Sequence, residues 1–439
     1  MVRFAVLAWV VILAEALLVS RASGIERLVI LSPHNEAIRD EFGRGFARWH
    51  EARFGVPAQV DWRMVGGSSE SIRFVQSEFA RKPEGIGLDL FFGGGQEPFF
   101  ELAAKQLVEP YRLPDAVLDG LPAQAAGIEL RAPDFAWYGA AVSSFGILEN
   151  LRVQALVGLP RVQRWEDLAR PELKGWVGAG DPRGSGTMLV MFESFLQARG
   201  WETGWRLLTQ IAGNTRRFDR LSSTTAKDAA LGETAYALAI DFYALTQVAA
   251  VGRSNLTYLL PADFAAISPD GIAILRGAPH RKVAERFVEF VLSDPGQCLW
   301  LLPRGHPEGP TRHSIERMPV RPALYERYRG VSNIEFSPFD LRSGFRYDAR
   351  IAQRRRGVVA TLAGAVLVDV HDDLQRAWTA ILASPSDESR LARFGSVPVS
   401  EAAALEMSGE PWKDPRIRNG RRTEWQSWAQ SKFRDIAHR

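Results

Sequence analysis

The hydrophobic residues of this chain alternate between two spacings. A short apolar run at residues 27–31 predicts a strand. The apolar residues Ile38, Phe42, Phe46 and Trp49 follow it at spacings of four, four and three, which is typical of one face of an amphipathic helix. Residues 27–49 therefore predict a strand that is followed directly by a helix.

This strand-then-helix pattern recurs along most of the chain. Further strands are predicted at 58–65, 87–95, 137–150, 175–180, 235–241 and 270–275, and helical patterns follow most of them. Such alternation predicts an α/β fold with a parallel, doubly wound sheet. From about residue 340 the strand pattern ends, and the remaining sequence predicts helices.

Small, hydroxylic and acidic residues lie where the predicted strands end. These strand ends are Ser32-Pro33-His34, Gly66-Gly67-Ser68-Ser69, Gly93-Gly94-Gly95, Ala179-Gly180-Asp181 and Asp241-Phe242-Tyr243. In open α/β sheets, ligands bind at the carboxyl ends of the strands. The sequence therefore predicts ligand contacts along this edge.

Two of these loops resemble anion-binding turns. Gly67-Ser68-Ser69 and Gly184-Ser185-Gly186-Thr187 place backbone N–H groups and hydroxyls at the start of predicted helices, where the helix dipole favours negative charge. Such turns suit phosphate, phosphonate, carboxylate or sulfate. The alternative is structural, with Ser69 and Thr187 as N-caps and the glycines relieving tight turns.

Five other side chains allow both a binding and a structural interpretation. Asp181 and Asp241 suit an ammonium or a sugar hydroxyl, or else a helix cap or a salt bridge between loops. Tyr243 and Phe145 suit stacking on a ligand, or packing at a domain junction. His34 follows a strand and precedes a candidate N-cap, so we favour a ligand contact for it.

Composition excludes several classes of function. The 439 residues carry a formal net charge of +3, with 46% hydrophobic and 24% charged, so no strong field for nucleic acid or membranes is implied. The single cysteine, Cys298, allows no intramolecular disulfide and no cysteine-based metal site. The length suggests two or three domains.

Residues 1–22 have the features of an export signal. Arg3 precedes a long apolar stretch, and Ser20 and Ala22 occupy positions −3 and −1 of a cleavage site. No cysteine lies near this site, which excludes a lipoprotein anchor. No later run approaches the ~20 apolar residues that span a bilayer. The sequence predicts an exported, soluble, periplasmic protein.

Common catalytic motifs are absent from the sequence. It contains no Gly-x-Ser-x-Gly, no His-Glu-x-x-His and no Walker Gly-Lys-Ser/Thr. We therefore expect a protein that is not an enzyme. The alternative from another class is a hydrolase that uses this same scaffold, with His34 as base and Ser68 or Ser69 as nucleophile.

Residues 66–111, 165–188 and 269–303 resemble the extracellular solute-binding proteins of ABC importers. The most specific motif is "GAP", followed by a helix and "SDPGQ". The resemblance covers roughly residues 26–380 and is to the iron(III)-type branch, which also holds thiamine, sugar-phosphate and aminoalkylphosphonate binders. About sixty C-terminal residues depart from the shorter members of that branch.

The resemblance implies the type II periplasmic-binding fold, in which two βα lobes close on a ligand. The chain is then expected to cross between lobes near Trp137–Ser144 and Leu259–Asp270. We expect residues 26–138 and 270–340 in lobe 1, residues 139–269 in lobe 2, and residues 341–439 as a helical segment that packs on lobe 1.

The resemblance also implies a ligand and partners. Iron-binding members coordinate the metal with two adjacent tyrosines, whereas this chain has Phe242-Tyr243. We therefore expect no metal and no cofactor, and we favour a small anionic organic solute bearing phosphate or phosphonate. Thiamine and ferric iron are the alternatives within the family. The expected partners are this solute and an inner-membrane ABC permease with its ATPase, without nucleic acid, and we expect a monomer.

The expected ligand-binding residues come from both lobes. They are Ser32, His34, Asn35, Gly67, Ser68, Ser69, Gly94, Ser144, Phe145, Asp181, Ser185, Gly186, Thr187, Asp241 and Tyr243.

Overall fold

A computed structural model of the protein describes residues 24–125, 127–332, 334, 336–340, 345–384 and 387–438. The predicted export signal lies outside these residues. None of the helices in the described ranges is long and apolar enough to cross a membrane.

The first part of the chain forms three βα units and a set of short elements. In order these are β1 (Glu26–Leu31), α1 (Glu36–Phe54), β2 (Ala58–Arg63), α2 (Ser68–Arg81), β3 (Leu90–Phe92), α3 (Glu97–Ala104), β4 (Val108–Glu109), α4 (Asp115–Leu118), β5 (Gln124–Ala125) and β6 (Ile128–Glu129). Asn35 caps α1 because its Oδ1 accepts a bond from the Ile38 N–H, and the αL residue Gly55 ends it.

The middle of the chain forms a second βα region. It contains β7 (Tyr138–Asn150), α5 (Leu151–Val157), two 3₁₀ turns (Trp165–Ala169 and Pro171–Leu173), β8 (Val177–Gly180), α6 (Gly186–Arg199), α7 (Trp201–Asn214), β9 (Thr215–Asp219), α8 (Ser222–Leu231), β10 (Tyr236–Ile240), α9 (Asp241–Val251) and β11 (Leu256–Leu259).

The chain then returns to the first region and ends in helices. The returning elements are β12 (Ile267–Leu275), α10 (Arg281–Leu292), α11 (Asp294–Leu301) and α12 (Pro322–Arg327). The C-terminal elements are α13 (Ala349–Ala363), a π turn (Gly364–Val368), α14 (His371–Leu382), α15 (Glu388–Gly395), α16 (Glu401–Met407), a 3₁₀ turn (Glu410–Lys413) and α17 (Pro415–His438).

All strands except β5 and β6, which form a separate antiparallel pair, belong to one continuous sheet with two parallel halves. Its order is β2-β1-β3-β12-β7-β10-β8-β9, with β4 added beside β12 and β11 beside β7. β1 is parallel to β2 and β3, and β8 is parallel to β9 and β10. The two long central strands β7 and β12 run antiparallel to each other and to the strands beside them. The sheet is therefore mixed rather than wholly parallel, because the chain leaves the first half along β7 and returns along β12.

We call the half containing β1, β2 and β3 the first lobe and the half containing β8, β9 and β10 the second lobe. The central strands β7 and β12 overlap the two predicted crossings. Two βα lobes in a mixed α/β arrangement, followed by a helical C-terminal region, agree with the fold that the sequence predicted.

The C-terminal helices pack on the second lobe, so the expectation that they pack on the first lobe is wrong. The indole Nε1 of Trp378 donates to Asn214 Oδ1 at 2.7 Å, and Gln375 Nε2 donates to Thr215 O at 2.8 Å. A Cβ on Gly213 would lie 2.5 Å from the Trp378 ring. These helices pack against the apolar face of α7, while α13 also contacts α3 of the first lobe.

Candidate functional site

The three parallel strands of the first lobe end at one edge. Leu31 of β1 pairs with Arg63 of β2 and with Phe91 of β3. The segments that begin at Ser32, Met64 and Gly93 consequently leave the sheet side by side. This is the edge at which ligands bind in open α/β sheets.

A glycine loop brings the polar groups of this edge together. Gly93, Gly94 and Gly95 all have positive φ, at 101°, 101° and 84°, a conformation that other residues rarely adopt. A Cβ on Gly93 would lie 2.6 Å from His34 Nε2, and one on Gly94 would lie 3.0 Å from Ser68 Oγ. The glycines therefore make room for His34 and Ser68.

The predicted residues of the first lobe differ in their exposure. Ser32 is fully buried, and its Oγ accepts a bond from the His34 N–H at 3.2 Å. Asn35 is exposed and caps α1. Gly67 precedes α2 and gives that helix no side-chain cap, and a Cβ on Gly67 would lie 3.2 Å from the Glu70 carboxylate. Ser69 lies in the same turn, and its side chain is outside the described part of the structure.

The second lobe has an equivalent edge. β8 is parallel to β10 and to β9, so Asp181 and Asp241 follow the ends of neighbouring strands. Asp181 forms an ion pair with Arg183 at 2.8 Å, and Arg183 also pairs with Asp369 of the C-terminal region at 2.8 Å. The Asp181 carboxylate is thus engaged within the protein, in keeping with the salt-bridge interpretation.

The start of α6 brings together the positive end of a helix dipole and the charged side chain of an arginine. Ser185 caps the helix through its Oγ, which accepts from the Met188 N–H at 3.2 Å, while Gly186 is exposed and Thr187 is half-buried. A Cβ on Gly186 would lie 3.6 Å from Nη2 of Arg356, which comes from α13. Within the described ranges no carboxylate pairs with Arg356. A guanidinium beside the positive end of a helix favours an anion there.

A buried polar cluster lies where the two lobes meet. We call the residues His34, Ser143, Asp270 and Arg317 the central cluster. Asp270 Oδ2 accepts from His34 Nε2 at 2.7 Å and from Arg317 Nη1 at 2.5 Å, and Asp270 Oδ1 accepts from the Gly95 N–H at 2.9 Å. Arg317 Nη2 donates to Ser143 Oγ at 2.7 Å. All four side chains are buried.

Asp241 forms a second buried group beside this cluster. Its Oδ2 accepts from the Ser144 N–H at 2.7 Å and from Ser144 Oγ at 3.2 Å, and its Oδ1 accepts from the Phe242 N–H at 2.7 Å. Tyr258 OH lies 3.1 Å from Ser144 Oγ. Phe145 is buried, and the ring of half-buried Tyr243 lies 4.3 Å from that of Phe242. Asp241 thus fixes the start of α9 to the central strand β7.

Burial governs the charges of these groups. Burial lowers the pKa of His34, although Asp270 opposes this effect. Burial would raise the pKa of Asp270, but the charge of Arg317 and the contact with His34 hold it well below its usual range. The cluster therefore contains a neutral imidazole with an ionised Asp270–Arg317 pair, while burial raises the pKa of Asp241 to about 6.

The raised pKa of Asp241 predicts a pH-dependent stability. The unfolded carboxyl releases its proton near its ordinary pKa of 3.8, whereas the folded one retains it to about 6. The contribution of Asp241 is thus greatest below about pH 4 and is lost as the pH rises through about 6. We expect the unfolding free energy of the wild type relative to Asp241→Asn to fall by about 2–3 kcal/mol from pH 4 to pH 7. Urea unfolding of both proteins at pH 4 and pH 7 measures this change. An unfolding free-energy difference that is the same at both pH values would contradict the prediction.

Sequence reasoning missed several members of this region. Arg317 lies in a segment without helix or strand periodicity, and nothing in its local sequence marks it. Asp270 had a signal, because it is the single charged residue in the mainly apolar strand "ISPDGIAIL". A charged residue at such a position requires a buried partner.

Metal-ligand groups and surface cavities are two further features by which a binding site can be recognised. Within the described ranges, no group of three or more His, Cys, Asp and Glu side chains is suited to hold a metal ion. Two surface cavities of about 350 and 450 Å³ lie on the first lobe, around Met64 and His280, and are lined by none of the predicted residues.

Comparison with known proteins gives a consistent assignment. The family model of bacterial extracellular solute-binding proteins matches residues 86–302. The phosphoglycerate transport regulatory protein PgtC of Salmonella typhimurium is 26% identical over 336 residues, which cover 74% of this chain and 78% of that protein.

Solved structures show the same fold. The periplasmic binding protein P5PA superposes with a TM-score of 0.56 at 18% identity, covering 82% of this chain and 99% of that one. AfuA of Actinobacillus pleuropneumoniae, solved with fructose 6-phosphate bound, gives 0.52 at 22% identity, covering 63% and 82%. With two lobes joined by β7 and β12 and with these matches, the chain belongs to the bacterial extracellular solute-binding proteins.

Proposed function

We propose that this protein is the periplasmic receptor of an ABC importer, which captures a small phosphate- or phosphonate-bearing organic solute between its lobes and delivers it to a permease with its ATPase. The observation that carries the proposal is that polar strand ends of both lobes converge on the central strands. His34 and Gly95 approach from the first lobe, and Asp241 approaches from the second. A solute held between such edges favours the closed arrangement of the lobes.

The anionic character of the solute is inferred from the two helix starts. α2 begins without a side-chain cap, and α6 begins beside the guanidinium of Arg356. Both helix ends carry partial positive charge that suits a phosphate group. Two similar proteins support this chemistry, since their names refer to phosphoglycerate transport and to bound fructose 6-phosphate.

Arg356 offers a direct test of the anion site. We expect Arg356→Gln to weaken binding of a phosphorylated solute about tenfold, because a charge-assisted hydrogen bond is lost. Thr187→Ala is expected to cost about 1 kcal/mol of binding free energy through its hydroxyl. Titration calorimetry with a phosphate or phosphonate that stabilises the protein in a thermal-shift screen measures both losses of affinity.

The matched control for Arg356 lies on the same helix. Arg354 is exposed and forms no ion pair within the described ranges, so Arg354→Gln removes an identical charge away from α6. Equal loss of affinity in both arginine variants would mean that long-range charge, and not a contact at α6, attracts the solute.

A thermal-shift screen tests the proposed function as a whole. The panel contains 3-phosphoglycerate, sugar phosphates, phosphonates, thiamine with its phosphates, and ferric iron. A ligand at 100 times its dissociation constant adds about 2.7 kcal/mol of stability. We expect stabilisation by an organic phosphate or phosphonate. Stabilisation by ferric iron or by thiamine alone would overturn the anionic assignment, and release of inorganic phosphate from a phosphoester would support a hydrolase instead.

Solute sensing is a second candidate function, favoured by the name of PgtC as a transport regulatory protein. A sensor would present its closed form to a membrane receptor instead of a permease. Deletion of the gene separates the two functions when the permease is expressed from a constitutive promoter. Loss of labelled-solute uptake supports transport, whereas retained uptake with lost induction of the native permease supports sensing.

Export is the remaining part of the proposal. Residues 1–22 supply the predicted signal. Intact-mass measurement of the protein purified from the periplasm is expected to show a chain that begins at residue 23.

A further inference from the structure

Arg317 contacts parts of both lobes and both central strands. It pairs with Asp270 of β12 at 2.5 Å and donates to Ser143 of β7 at 2.7 Å. Its guanidinium lies 5.2 Å from the centre of the Trp300 ring in the first lobe and 4.7 Å from the centre of the Phe242 ring in the second. With 3% of its surface exposed, Arg317 is enclosed between these groups.

We propose that Arg317 is a positioning residue for solute capture, which holds the lobes together through its contact with Phe242. This role rests on the proposed function in one respect, namely that closure of the two lobes captures the solute. Arg317 lies beyond the part of the chain that matches the family model.

The partners of Arg317 divide unequally between the lobes. Asp270 and Ser143 lie on the central strands, while His34, 3.5 Å from Nη1, and Trp300 belong to the first lobe. Phe242 is in the first turn of α9, in the second lobe. In the proposed opening, β7 bends between Ser143 and Ser144. The polar partners then stay with Arg317. The Phe242 ring leaves with Asp241 and Ser144, to which the start of α9 is bonded. The contact between guanidinium and Phe242 is therefore the one that opening breaks.

The chemistry of the guanidinium suits this role. A planar guanidinium stacks on two rings while its N–H groups bond in the plane, which a lysine ammonium cannot do. The Nε–H of Arg317 is buried and has no hydrogen-bond partner among the residues that the structure describes. The orientation of the group is therefore set by Asp270, Ser143 and the two rings.

A distance measurement between the lobes tests this proposal without any solute. Met64 and Leu221 are exposed and follow the outermost strands of the two lobes. Met64→Cys and Leu221→Cys, in a Cys298→Ala background, carry labels for single-molecule energy transfer. We expect Phe242→Leu and Arg317→Lys each to shift the ratio of closed to open molecules about tenfold toward open, because a buried cation–π contact is lost.

Arg355→Lys is the matched control. Arg355 is also buried, pairs with Glu193 at 2.7 Å and lies 5.2 Å from the Trp201 ring, but all these groups belong to the second lobe and the C-terminal helices. We expect this variant to lose stability without changing the interlobe distances. Unchanged distances in both Phe242→Leu and Arg317→Lys would overturn the proposal and leave Arg317 a purely structural residue.

Addition of 3-phosphoglycerate to the same labelled proteins separates this proposal from the proposed function. If neither 3-phosphoglycerate nor any other phosphate or phosphonate of the thermal-shift panel closes the labelled proteins, while Arg317→Lys is still more open than the wild type, the anionic assignment fails and the role of Arg317 stands. If the solute closes the wild type and Arg317→Lys to the same extent, with equal affinity, the role of Arg317 fails.

Discussion

Replacing Asp270 by alanine is expected to lower the free energy of unfolding by about 3–5 kcal/mol, because it leaves the Arg317 charge buried without its partner. Asp270 is 5% exposed and accepts bonds from His34, Arg317 and the Gly95 N–H. Each of these donors would lose its acceptor in a site that water does not readily reach. Urea unfolding near neutral pH measures the loss.

The double variant Asp270→Ala with Arg317→Met provides the control. It removes both charges and keeps a side chain of similar length between the rings of Phe242 and Trp300. Since the penalty of an unpaired buried charge is then absent, the double variant should be more stable than Asp270→Ala alone. If the double variant loses as much stability as Asp270→Ala and Arg317→Met lose when their separate losses are added, the two charges do not interact.

Truncating Trp378 is expected to have an effect of similar size, about 3–5 kcal/mol, because it removes a large side chain from a packed interface. Trp378 is 3% exposed, donates to Asn214 at 2.7 Å and stacks on Phe394 with ring centres 5.3 Å apart. Gly213 lies against the Trp378 ring and has no side chain that could move into the space left in Trp378→Ala. Thermal unfolding followed by circular dichroism measures the loss.

Trp378→Phe isolates the hydrogen bond from the packing. It keeps an aromatic ring against Phe394 and removes only the indole N–H, so a loss of about 1 kcal/mol is expected. Equal losses in the alanine and phenylalanine variants would mean that the bond to Asn214, and not the packed surface, attaches the C-terminal helices.

The fold was predictable because its signals are local. The apolar spacing of Ile38, Phe42 and Phe46 specifies α1, and Asn35 specifies its start. Strand ends followed by helix starts placed Ser32, Gly94 and Asp241 at sheet edges without any knowledge of pairing. These features depend on residues within a few positions of one another.

The details that sequence did not predict depend on distant partners. His34 was expected at a ligand, but its ring is buried against Asp270, which lies 236 residues away in the chain. The amphipathic pattern of α14 predicts a helix, yet it does not say which lobe the helix covers. That choice depends on the apolar face of α7 and on the space left by Gly213, neither of which is visible in the sequence of α14.

The packing of the C-terminal helices has a practical consequence for measurement. Gly24 lies two residues before β1 of the first lobe, whereas His438 ends α17, which is held to the second lobe through α14. Fluorescent proteins fused at these two positions would therefore move with opposite lobes. Such a fusion would act as a genetically encoded reporter of closure in living cells, with Cys298 left in place.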